Sequence, residues 1–218
     1  MTEDSKMSKC GTTINRIFCF GRNYLEHIHE LSNAVPTVPL IFMKSPSCVV
    51  EPGEPIHFPK HGNELHQEVE IVVRIGREGK AATEKDALVL IDSISVGLDL
   101  TLRDVQDTLK KKGHPWEIAK SFDQSSPLGT FVPYDESVDL KNISFGCKIN
   151  GVQKQKGNTR DMMFSTAQLL VELSRVWKLL PGDIVYTGTP AGVGPVKIGD
   201  IIEIESDLTG SFSWSVVD

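Results

Sequence analysis

Between His66 and Val73 the chain reads His-Gln-Glu-Val-Glu-Ile-Val-Val. Val69, Ile71 and Val73 fall on one side of this run and His66, Glu68 and Glu70 on the other, the period-two pattern of a half-buried strand. Same-face neighbours in a strand lie roughly 6.5–7 Å apart, so Glu68 and Glu70 can converge on one hard cation through oxygen ligands. Without a cation they repel, and one protonates or both turn to water. A plain solvated strand face gives the same alternation. A second alternating run, Ile94 to Leu98, carries Asp99 at its polar end. Three acids at strand faces or ends make a better cation site than any pair. An all-oxygen set without a nearby cysteine selects Mg²⁺, Mn²⁺ or Ca²⁺ over Zn²⁺.

Other residues could do chemistry beside that cluster. His27 and Glu30 are three apart on a short helix-compatible stretch and share a face, although such pairs are common on solvated turns. Lys120 stands alone in the apolar run Pro115–Phe122, either snorkelling or placed for chemistry. The run Thr187-Gly188-Thr189-Pro190-Ala191-Gly192-Val193-Gly194 is glycine-rich. No helix pattern follows it and its spacing is not that of a dinucleotide loop, but its backbone amides could cradle a carboxylate. Two other lysine features read blandly. Lys44 closes the apolar run Leu40–Met43 and reads as a strand's exit to solvent. Lys110, Lys111 and Lys112 read as partners of a helix dipole, with Gly113 just beyond the helix end.

The elements that must position these residues follow from periodicity. Ile14–Phe20 reads as a strand broken by Gly21-Arg22-Asn23. Thr83 with Asp86 forms a capping-box-like start. Thr101 reads as the N-cap of a helix with Asp104 at the third position, Leu102, Val105 and Leu109 on its buried stripe, and Arg103 and Gln106 on another face. Gly129–Val132 and Ser144–Ile149 are strand-like, and Asn150-Gly151 is a hairpin turn. Ser165 or Thr166 opens a helix with Leu169, Leu170, Leu173 and Trp177 as its core stripe. Strands follow at Ile184-Val185, Ile201-Ile202 and Phe212–Val216. The expectation is a mixed α/β, predominantly β fold, a β roll or distorted barrel with a few peripheral helices. Residues 14–218 form one catalytic domain and 1–13 a frayed N-terminus.

Composition excludes several classes. The chain has 218 residues and a net charge of −6, with a pI near 5.5. It carries no basic stripe, so nucleic acid and anionic membrane are poor partners. Cys10, Cys19, Cys48 and Cys147 are scattered, without metal-ligand or disulfide spacing. No apolar run approaches a membrane span, and neither a signal nor a transit segment is evident. A soluble, cytoplasmic protein is expected.

Six stretches occur in order: Gly21-Arg22-Asn23-Tyr24 with His27-x-x-Glu30, His66-x-Glu68-x-Glu70, Leu98-Asp99-Leu100-Thr101-x-Arg103-Asp104-x-Gln106, Lys120-Ser121-Phe122, and Thr187-Gly188-Thr189-Pro190 with Gly192-Val193-Gly194. Together they resemble the fumarylacetoacetate hydrolase family, most of all its small single-domain acylpyruvate hydrolases, oxaloacetate decarboxylases and tautomerases. The resemblance runs from about residue 14 to the C-terminus. It implies a β-roll fold, a catalytic Mg²⁺ or Mn²⁺ on Glu68, Glu70 and Asp99, and usually a homodimer. It also implies a catalytic dyad of His27 and Glu30, an active-site Lys120, and substrate contacts from Arg22, Tyr24, Gln106 and Thr189. The substrate would be a small 2-oxo acid whose C3 becomes an enolate. Hydrolysis of an acylpyruvate to pyruvate and a carboxylic acid is the leading expectation. Oxaloacetate decarboxylation or keto–enol exchange at the same site is the alternative.

Overall fold

The computed structural model describes residues 13–31 and 33–218. The expected frayed N-terminus lies, but for residue 13, outside the described residues. The fold is predominantly β with a few short helices, as expected. Its largest sheet has six strands, in the order Val132–Pro133, Ile91–Leu98, Val69–Ile75, Ile184–Tyr186, Ile17–Gly21 and Leu40–Lys44. Val69–Ile75 is central. It runs antiparallel to Ile91–Leu98, with Val69 opposite Leu98 and Glu70 opposite Gly97, and antiparallel to Ile184–Tyr186 on its other side. A five-stranded sheet takes Val152–Asn158, Ser144–Ile149, Ile201–Ser206, Gly210–Val217 and Ile56–His57.

The His66–Val73 run is not one strand. Leu65–Gln67 pairs with Thr101–Leu102 and Gly194–Pro195 in a small sheet, while Val69–Ile75 belongs to the large one. Glu68 is the single-residue link between the two. Its carbonyl accepts the Asp99 N–H at 2.8 Å, which sets the second acid beside the first. Nor is the strand half-buried. Val69, Ile71, Val73 and Ile75 enter the main core, Val72 on the opposite face joins a smaller cluster with Ile17, Cys19, Ile184 and Tyr186, and Glu70 is 1 % exposed. Each fully buried Val or Ile contributes roughly 1.5–3 kcal/mol, so two apolar faces together hold a strand that carries a buried carboxylate.

Local signals held where their partners were near in sequence. Thr83 and Asp86 form a complete capping box, and so do Ser165 and Gln168 at the start of Thr166–Val176. Asn150 and Gly151 make the hairpin turn, with φ of 51° and 75°. The Arg103–Lys112 helix ends on Gly113 in the left-handed region. Its start differs from expectation. Leu102, not Thr101, is the N-cap, and Thr101 sits in a short strand with its hydroxyl donating to the Asp99 carbonyl at 3.1 Å. Pairing with Leu65–Gln67 outcompetes the cap, because that strand also has to deliver Asp99. Among the described residues, Cys19, Cys48 and Cys147 are free and buried.

Candidate active site

Glu68, Glu70 and Asp99 come together with one oxygen from each within 4.8 Å of the others. All three are buried. Burial opposes charge on each, and each meets it differently. Glu68 is held well below the usual carboxylate range, because Lys120 and Arg103 outweigh its desolvation. Lys120 Nζ donates to Glu68 Oε2 at 2.8 Å and to Asp99 Oδ2 at 2.6 Å, and Arg103 Nη2 donates to Glu68 Oε1. Glu70 accepts the Gly188 N–H at 2.6 Å. Burial, then Asp99 and Glu68, push its carboxyl well above the usual range despite that donor and Lys120.

Lys44 does not exit to solvent. It is 2 % exposed, donates to the Leu100 and Ser125 carbonyls at 3.1 and 2.7 Å, and lies 2.8 Å from Asp99 Oδ1. The two carbonyls take two of the ammonium's three protons, and the contact with Asp99 Oδ1 is an ion pair whose angle is not that of a hydrogen bond, so Oδ1 has no hydrogen-bond partner. A buried carboxylate oxygen without a donor is costly. It suits a cation, which needs no hydrogen-bond angle. Three convergent carboxylates, one with an undonated oxygen and one with a raised proton affinity, fit Mg²⁺ or Mn²⁺. Glu68, Glu70 and Asp99 would hold it.

The remaining residues divide into two groups. Arg22, His27, Gln106 and Lys120 line one cavity of about 30 Å³, together with Glu68 and Arg103. Arg103 Nη1 donates to Gln106 Oε1 at 2.6 Å, so the second helical face read from sequence points into the site. Arg22 adopts φ 60° and donates to Asn33 Oδ1 at 3.0 Å. A non-glycine residue in that region costs about 1 kcal/mol, a strain held in the lining of the cavity. His27 is 5 % exposed; burial first, then Arg103, lower its pKa against the pull of Glu68 and Glu30, and it stays neutral near pH 7. Its Nδ1 lies 3.4 Å from Glu30 Oε2.

Tyr24, Thr189 and Glu30 stand outside that cavity lining. The Tyr24 hydroxyl is buried without a hydrogen-bond partner. Thr189 Oγ1 donates to the Val69 carbonyl at 2.8 Å and accepts from Gln155 Nε2 at 2.8 Å. Gln155 also accepts the Val69 N–H at 3.0 Å, so it pins the backbone between the two glutamates. Glu30 accepts the Gly192 N–H through both oxygens, at 3.0 and 3.2 Å. The glycine-rich run therefore cradles carboxylates, but the protein's own: Glu70 on Gly188 and Glu30 on Gly192. Both glycines have φ near 100°, and a Cβ on Gly188 would sit 2.6 Å from that of Asn23. Lys44, Arg103 and Gln155 were not predicted as site residues. Only Arg103 had a local signal, its shared face with Gln106.

An all-oxygen acid cluster crossed by a buried lysine, set where a small sheet meets the large one, is a site that could hold a metal ion. The chain belongs to the fumarylacetoacetate hydrolase family: the model of the fumarylacetoacetate hydrolase C-terminal region matches residues 16–217. It is 40% identical to the mitochondrial oxaloacetate tautomerase of Bos taurus over 197 residues, 90% of this chain and 88% of that protein. It is 40% identical to an oxaloacetate tautomerase of Escherichia coli over 195 residues, 89% of each. An oxaloacetate decarboxylase of Dictyostelium discoideum is 38% identical over 198 residues, 90% of this chain and 91% of that one. The fumarylpyruvate hydrolase of Pseudomonas aeruginosa, solved with Mn²⁺ and pyruvate, superposes with a TM-score of 0.89 at 33% identity, covering 94% of this chain and 90% of that one. Among the described residues, no helix is long and apolar enough to cross a membrane.

Proposed function

We propose that the protein acts on oxaloacetate, exchanging its keto and enol forms, with decarboxylation as the slower outcome at the same site. This replaces acylpyruvate hydrolysis as the leading reading. The curated relatives named for oxaloacetate chemistry near 40% identity support the change. The observation that carries it is the 30 Å³ cavity where neutral His27 and the cations Lys120 and Arg103 face one small space. That set can move a proton at C3 and receive the negative charge it leaves.

A Mg²⁺ or Mn²⁺ on Glu68, Glu70 and Asp99 would supply Lewis-acid polarisation of the 2-oxo group. His27, oriented by Glu30, takes a C3 proton from the keto form through Nε2, the nitrogen turned away from Glu30. The charge that develops on the C2 oxygen is offset by Lys120, whose ammonium is held by two carboxylates and needs no reorganisation. His27 then delivers that proton to the C2 oxygen to give the enol, and the reverse path, from the enol O–H through His27 to C3, gives the keto form. Gln106, held by Arg103, and Arg22 bind the substrate's oxygens. Decarboxylation uses the same charge stabilisation but needs no base. Hydrolysis of an acylpyruvate needs His27 for a water instead, and the retained His27–Glu30 pair keeps that as a second reading. One catalytic domain over 14–218, a homodimer and a cytoplasmic location belong to the same proposal.

The test is a panel with Mg²⁺ and with chelator. Loss of enol-oxaloacetate absorbance, pyruvate release from oxaloacetate and pyruvate release from acetylpyruvate are followed separately. Metal-dependent enol exchange is expected to be fastest. Acetylpyruvate cleavage outpacing both oxaloacetate reactions would restore the hydrolase reading.

A further inference from the structure

The Arg103–Lys112 helix has one face that the sequence reading left divided. Arg103, Gln106 and Lys110 stand at i, i+3 and i+7, so they form one stripe. Arg103 and Gln106 are buried and Lys110 is half-buried, while Lys111 and Lys112, on the rest of the last turn, are exposed. Lys110 thus does more than meet the helix dipole. It lines the same cavity as Arg22, Arg103, Lys120 and Glu68. Its ammonium lies over the Trp116 ring, 5.5 Å from the centroid, and its ion-pair contact with Asp107 is a marginal 3.9 Å.

Charge in the cavity is uneven. Two acids of the cluster, Glu68 and Asp99, already pair with three cations, Lys44, Arg103 and Lys120. Lys110 and Arg22 are extra positive charge at the same opening, and Arg22 is held by a neutral amide. Burial and the charges of Arg103, Arg22 and Lys120 all push the Lys110 pKa down, with only Asp107 among its main neighbours opposing them. Such a lysine is relieved by an anion arriving with the ligand.

We infer that Lys110 is a specificity-determining residue that binds the distal carboxylate of a C4 2-oxo dicarboxylate, the end of the substrate far from the acid cluster. The inference rests on the oxaloacetate reading and deepens it, because an acylpyruvate such as acetylpyruvate carries no charge at that end. The Trp116 ring lies under the ammonium, whose own carboxylate contact is only the 3.9 Å approach of Asp107.

The experiment compares calorimetric binding of 3-sulfopyruvate and pyruvate in Mg²⁺. Sulfopyruvate keeps an anion at the distal position but cannot lose CO₂ there. Wild type should bind sulfopyruvate more tightly than pyruvate. Lys110→Met should weaken sulfopyruvate about tenfold, the scale of one partly exposed charge-assisted contact, and leave pyruvate within about twofold. Lys110→Arg should restore most of the preference, and thermal melting shows whether each variant is folded. An unchanged sulfopyruvate-to-pyruvate ratio in folded Lys110→Met, or an equal loss for both ligands, overturns the inference. Should wild type prove inert toward oxaloacetate while the ratio still collapses in the variant, the proposed reaction falls and Lys110's role stands.

Discussion

Two buried carboxylate sites in this molecule are built to opposite rules. Asp183 is fully buried and fully satisfied: Arg16 Nε donates to Oδ1 at 2.9 Å, Arg16 Nη2 to Oδ2, and the Leu180 N–H to Oδ2 at 2.8 Å. It closes the turn that leads into Ile184–Tyr186 and locks Arg16 to the end of the neighbouring strand. The Glu68, Glu70 and Asp99 cluster is as deeply buried but leaves Asp99 Oδ1 with an ion pair to Lys44 and no hydrogen bond, and Glu70 with a proton affinity raised by burial and then by Asp99 and Glu68. A structural carboxylate is finished by the chain. A binding carboxylate is left short of what the chain could have supplied, and the shortfall is where a cation or substrate enters.

The strongest way to break the contrast is at Lys120. Lys120→Met removes the cation shared by two acids and the positive charge beside the reacting oxygen. Turnover of oxaloacetate should fall about 10²–10³-fold, measured under saturating Mg²⁺, with KM changing far less than kcat. His27→Gln comes next. It removes the base and should lower keto–enol exchange about 10²-fold while sparing decarboxylation, so the two assays should separate.

Asp183→Asn should do the reverse. It should cost about 2 kcal/mol of stability, less than for a fully buried pair because Arg16 is partly exposed, and leave kcat of the folded enzyme unchanged. Denaturant unfolding and a steady-state assay on one sample check both halves.

The cluster's own titration sharpens the comparison further. A carboxyl whose folded pKa is raised contributes stability that is full at low pH and is lost as pH rises from the usual carboxylate range through the raised value. In chelator, wild type should therefore lose stability over that range, and Glu70→Gln should melt higher than wild type at pH 7. Added Mg²⁺ should raise the melting temperature of wild type and not of the variant. The smallest effect is on the pH profile. Because burial lowers the His27 pKa, the acid limb of kcat/KM for exchange should lie below the ordinary histidine value of about 6.5. A limb above that value would mean another group is titrating.

What the sequence made legible follows the range of the interactions. The acid cluster could be read because alternation places Glu68 and Glu70 on one face and a second strand delivers Asp99. The break at Glu68 could not, since it depends on Leu65–Gln67 pairing with strands that lie some 35 and 130 residues further along the chain. Lys44 misled for the same reason: its acceptors are the Leu100 and Ser125 carbonyls, 56 and 81 residues away. Gln155 sits in a mostly exposed strand, and nothing local marks it as the residue that bridges Val69 and Thr189. The glycine-rich run announced an anion cradle but not whose anion, because Glu70 and Glu30 reach it from 118 and 162 residues away.

The central claim is that the acid cluster is left open for a cation and the Asp183 site is closed. Counting bound Mn²⁺ by electron paramagnetic resonance tests it most directly, on wild type, Asp99→Asn and Asp183→Asn at equal concentrations of folded protein. The account predicts one tightly bound ion per chain in wild type and in Asp183→Asn, and none in Asp99→Asn. Full binding in Asp99→Asn, or its loss in folded Asp183→Asn, would contradict it.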